Sequence, residues 1–72
     1  MVFVVVISWF NSEGELTSYS RQSYGSKENA KKYVSYLQTK YDTTIFEDSD
    51  VLPLKGYDPK LNKTCLINIE QY

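Results

Sequence analysis

Along the first ten positions the chain shows almost no alternation. Val2-Phe3-Val4-Val5-Val6-Ile7-Ser8-Trp9-Phe10 is β-branched or aromatic nearly throughout, the composition of a strand. One face carries Phe3, Val5, Ile7 and Trp9. The other carries Val2, Val4, Val6 and Phe10, with only Ser8 polar. A strand half in water alternates apolar and polar residues, so this one asks for cover on both faces. Only one helix is legible in the rest of the chain, which cannot cover both sides of a sheet.

Asn11-Ser12-Glu13-Gly14 reads as a hairpin loop, with Asn11 opening the turn and Gly14 supplying a left-handed position. A return strand over positions 15–24 is polar on both faces apart from Leu16, Tyr19 and Tyr24. It reads as an edge strand, with Arg21 discouraging edge-to-edge pairing. A four-residue loop sets Tyr19 opposite Val6; a three-residue loop with a bulge sets it opposite Ile7.

Ser26 is an N-cap candidate and Glu28 suits the positive end of a helix. Ala30, Tyr33, Val34, Leu37 and Tyr41 then form one stripe of an amphipathic helix over Lys27–Lys40. Residues 44–47 suggest a short strand. Residues 48–62, broken by Pro53, Gly56 and Pro59, read as a long loop with Val51, Leu52 and Leu54 as anchors. Residues 63–72 alternate cleanly: Cys65, Ile67 and Ile69 on one face, Leu66, Asn68, Glu70 and Tyr72 on the other. The expected fold class is α+β, a single domain over residues 1–72. It has two layers in the order β-β-α-β-β, a mostly antiparallel sheet with one helix packed on one face. The first strand is expected at the centre and the second at an edge.

A chain of 72 residues lies near the size at which one core barely offsets chain entropy. A lone Cys65 excludes an internal disulfide and the absence of histidine disfavours a zinc site, so self-association is the remaining stabiliser. One face of the first strand stays uncovered, Val2, Val4, Val6 and Phe10 or else Phe3, Val5, Ile7 and Trp9; the first set is the expected self-association surface, in a homodimer with sheets face to face.

The net charge of −1 implies no bulk attraction to nucleic acid or a membrane surface. Its layout is uneven: residues 21–40 are basic and residues 42–58 acidic. The apolar start lacks a basic region and a cleavage site and is too short to span a bilayer, so a cytoplasmic location is expected.

Candidate chemistry changes little. No nucleophile–base pair can be built without histidine, and the single glycines Gly14, Gly25 and Gly56 make no phosphate loop. Glu47, Asp48 and Asp50 lack the spacing of a calcium loop, and Cys65 on an apolar face reads as a small buried hydrophobe. No catalytic residue, cofactor or metal is expected, and the chain reads as non-enzymatic.

Seven tyrosines point instead to binding, because tyrosine offers apolar area and a polar tip at low entropy cost. Tyr33 and Tyr41 belong to the helical core stripe, while Tyr19, Tyr36, Tyr57 and Tyr72 are the expected partner-binding set. An alternative reading uses Tyr19 and Tyr24 for stacking and Arg21, Lys27, Lys31 and Lys32 for phosphates, on a single-stranded nucleic acid. In its small size and freedom from motifs, the chain resembles the very small α+β inhibitors with which phages and mobile elements block bacterial defence enzymes. That resemblance implies action by binding a protein partner and assigns no residue roles.

Overall fold

A computed structural model of the chain describes residues 1–48 and 51–72. It contains β1 (Phe3–Phe10), β2 (Leu16–Tyr24), α1 (Lys27–Lys40), β3 (Ile45–Phe46), β4 (Leu54–Asp58) and β5 (Lys63–Gln71). The five strands form one antiparallel sheet in the order β2-β1-β5-β4-β3. The α+β class with one helix on one face is as expected. The strand count is not: part of the expected long loop is β4. The middle strand is β5, with β1 between it and the edge strand β2.

The helix forms where the stripe predicts. Ser26 Oγ accepts a hydrogen bond from the Asn29 amide at 3.2 Å, satisfying one of the free donors of the first turn. Ala30, Val34 and Leu37 are buried against Val5 and Ile7 of β1, Cys65 and Ile67 of β5 and Leu54 of β4. Trp9 meets Tyr41 edge to face at 5.2 Å, closing one end of the core. Leu52 packs on this core and Leu54 belongs to it, but the Val51 side chain is exposed rather than packed in it.

Asn11 Oδ1 accepts from the Glu13 and Glu15 amides at 3.0 and 2.9 Å, and Gly14 takes φ +81°. The loop spans Asn11–Glu15, longer than either expected form. With a bulge beside Trp9/Phe10 it sets Tyr19 opposite Ser8, not Val6 or Ile7. The slip from Val6 to Ser8 is two residues, so Tyr19 keeps the face it would have shared with Val6.

β4 escapes a sequence reading because its inward residues are Leu54, Gly56 and Asp58, two of them turn formers. Each has a packing reason. A Cβ on Gly56 would lie 2.7 Å from the Phe46 ring and 2.9 Å from Thr44 Cγ2, so the ring needs the bare backbone. Asp58, 2% exposed, is fully bonded. Its Oδ2 accepts from Thr43 Oγ1 at 2.8 Å and Thr44 Oγ1 at 3.3 Å, and its Oδ1 from the amides of Lys60 and Leu61 at 2.9 and 3.2 Å. One carboxylate thus fixes both the turn into β5 and the segment leading to β3.

Candidate functional site

The face of the sheet opposite α1 is the one the helix leaves open. Val2, Val4, Val6 and Phe10 do share that outer face, since Phe3, Val5, Ile7 and Trp9 pack toward the helix. Val4 and Val6, however, do not stay uncovered. They are only 5% and 9% exposed within the single chain. Arg21 stands beside Val6 on β2, and Glu70 beside Val4 on β5. These strands flank β1 and are about 10 Å apart, yet the two side chains meet at 3.2 Å. Their contact must therefore arch over β1. Arg21 also donates to Tyr19 Oη at 3.0 Å and Tyr72 Oη at 3.2 Å, Tyr72 donates to Glu70 Oε1 at 2.9 Å, and the guanidinium lies 5.7 Å from the Tyr72 ring centre. The hydrogen bonds to Tyr72 and Tyr19 hold the guanidinium above even its ordinary high pKa.

The arch corrects two expectations. The cover for Val4 and Val6 comes from neighbouring strands, so a face-to-face dimer is not needed to shield them. Arg21 is drawn over the sheet, so its charge does not stand guard along the edge of β2.

Beyond the arch the outer face opens. Leu16, Ile45 and Tyr57 are exposed, and Phe10 and Leu66 are half-buried. Phe10, Asn11, Lys55, Tyr57, Thr64 and Leu66 line an open cleft of about 510 Å³ between the β1–β2 loop and the β4–β5 end. Tyr57 is held by a hydrogen bond to Asn62 Oδ1 at 2.8 Å, which fixes its ring at the rim. A smaller groove of about 280 Å³ lies on the helix side, where Lys31, Val34 and Gln38 face Leu52, Leu54 and Ile69.

The expected partner-binding tyrosines are all exposed but not contiguous. Tyr19 and Tyr72 belong to the arch, and Tyr57 stands at the cleft. Tyr36 ends a row of rings on the helix side: Tyr24 to Tyr33 at 5.4 Å, then Tyr33 to Tyr36 at 6.0 Å. Tyr33 and Tyr41 pack against the core as the stripe predicts. The nucleic-acid constellation is divided. Tyr19 and Arg21 lie on the outer face, while Tyr24 turns inward and Lys27, Lys31 and Lys32 lie on the helix. Lys32 is also 3.8 Å from Glu28.

Cys65 is fully buried, and burial pushes its thiol up to about 12, which keeps it protonated and unreactive. Among the described residues no group of three His, Cys, Asp or Glu could hold a metal ion; Asp50 of the acidic stretch lies outside them. No described helix is long and apolar enough to cross a membrane. Leu66 and Lys55 are what sequence reasoning missed. The first looked like an ordinary alternating position, and the second lay in the supposed loop.

Among the described residues the arrangement is a one-helix, five-stranded antiparallel α+β fold with one open sheet face. No protein family, curated protein or solved structure matches the chain.

Proposed function

We propose that this chain is a non-enzymatic binding module that engages a protein partner through the open end of its outer sheet face, in the manner of a small inhibitor. The observation that carries the reading is the cleft floored by Phe10 and Leu66 and rimmed by Tyr57 and Lys55, on the face no helix covers. An apolar floor beside a fixed tyrosine and a cation suits an inserted apolar side chain ringed by polar groups, the usual anatomy of a protein contact. Five strands give this surface a rigid base, so little ordering entropy is lost on binding.

The test is capture of a partner from the native cell by tagged wild-type chain, set against Leu66→Lys with Tyr57→Ser on the outer face and Gln38→Glu on the helix side. The outer-face variant should lose the captured protein and the helix-side variant keep it. Equal capture by all three would overturn the assignment.

A further inference from the structure

The free edge of the sheet is unusually bare. β2 is nine residues long, about 30 Å. Its residues are exposed from Leu16 to Ser23, and it pairs on one side only, with β1. Proteins blunt such edges with proline, lysine, short length or a covering loop. Here there is no proline or lysine, and the one charge, Arg21, is tied across the sheet to Glu70. The opposite edge, β3, has only two residues.

The backbone polarity of this edge follows from the ladder. Val2 and Tyr72 exchange both backbone hydrogen bonds at 2.8 Å. Even-numbered residues along β1 therefore turn their amides toward β5 and odd-numbered ones toward β2. Phe3, Val5 and Ile7 face Tyr24, Gln22 and Ser20. The N–H and C=O groups of Tyr19, Arg21 and Ser23 are consequently left pointing outward. Exposed tyrosines stand on both sides of that row. Tyr19 lies on the outer face; Tyr36 lies on the flank of α1 above β2, which its stacking on Tyr33 and through it Tyr24 sets.

We propose that the occupant of this edge is a second copy of the chain, paired antiparallel β2 to β2 about a two-fold axis through Ser20, giving one continuous ten-stranded sheet. The register follows from the outward amides and from Arg21. An axis through Arg21 would pair that residue with its own copy and bring two arches, each rooted in a like charge, to one junction. An axis through Ser20 sets each Arg21 opposite the other copy's Tyr19, in the positions whose amides point outward, and sets Ser20 against itself. A second copy brings a strand of the same length and twist, and its two helices lie on one side with the Tyr36 rings above the junction. The pairing also adds burial to a small domain without opening the arch. It does not depend on the outer-face reading, because the cleft stays free.

Sedimentation at tens of micromolar should find wild-type dimer. Ser20→Lys leaves an exposed position exposed in the monomer but sets two ammonium groups together at the axis, so dimerisation should weaken roughly tenfold or more. Ser20→Cys should cross-link under mild oxidation, because non-hydrogen-bonded cross-strand pairs hold their Cβ atoms close, whereas Gln22→Cys should not. A monomeric wild type would overturn the proposal, as would a dimer broken by Leu66→Lys but not by Ser20→Lys, or equal cross-linking at both cysteine positions. Equal partner capture by wild type and both face variants, with an intact dimer, would fault only the proposed function.

Discussion

Asp58 shows how one residue can be read wrongly in isolation. Beside Pro59 it looks like turn punctuation, and it does start a turn, yet it is also the buried end of a strand. Burial by itself would raise its pKa. The bonds from Thr43, the Leu61 and Lys60 amides and Thr44 outweigh that, and the carboxyl is held below its ordinary value. A folded pKa below the unfolded one stabilises the fold fully above the usual carboxylate range, and this contribution disappears as pH falls through the folded value. Wild type should therefore lose melting temperature on acidification through that window. Asp58→Asn should melt lower at neutral pH and show a shallower acid limb. Parallel acid limbs in the two proteins would contradict this role. Gly56 and Asp58 were illegible for the same reason: their residue types advertise turns, and only the Phe46 ring and the Thr43–Thr44 hydroxyls, distant in sequence, give them another use.

Elements with a local cause were legible; those with a distant cause were not. The helix announces itself through Ser26 and a repeating stripe, all within sixteen residues, and it forms over Lys27–Lys40. The two-sided apolarity of β1 was equally plain, but its remedy was not, since nothing local links Arg21 to Glu70 or Tyr72. The arch predicts its own test. Arg21→Ala, studied at a concentration that keeps the chain monomeric, should leave the helix intact by circular dichroism. It should raise the binding of a hydrophobic dye as Val4 and Val6 lose cover, with a small fall in melting temperature, because an exposed ion pair contributes little by itself. Unchanged dye binding would mean that the flanking strands cover β1 without the guanidinium. Arg21→Lys should protect less than wild type, since an ammonium cannot reproduce the planar fork that reaches Tyr19, Tyr72 and Glu70.

For the molecule as a whole, the class was legible and the strand order was not. One helix and several alternating strands imply two layers, whereas the position of β5 between β1 and β4 depends on pairings across most of the chain. The proposed binding surface was legible as a tendency, in the excess of tyrosine, but not as a place. Phe10, Tyr57 and Leu66 converge only once β4 and β5 are laid beside β1. The open outer cleft and the bare β2 edge occupy different parts of the same sheet, so the proposed partner and the proposed second copy need not compete.

The seam between β1 and β5 has a kinetic side. Phe3 pairs with Gln71 and Phe10 with Thr64, so the central ladder joins stretches more than fifty residues apart. The β1–β2 hairpin and α1 can form early from neighbours in sequence, but the core they line stays open until β5 slots in. Closing so long a loop must come before most of its reward, which places the chain among slow folders for its size. Refolding should run over milliseconds to seconds by stopped-flow fluorescence of Trp9, which pairs with Cys65 across that seam. Completion within microseconds would mean that this ladder is not what limits the rate.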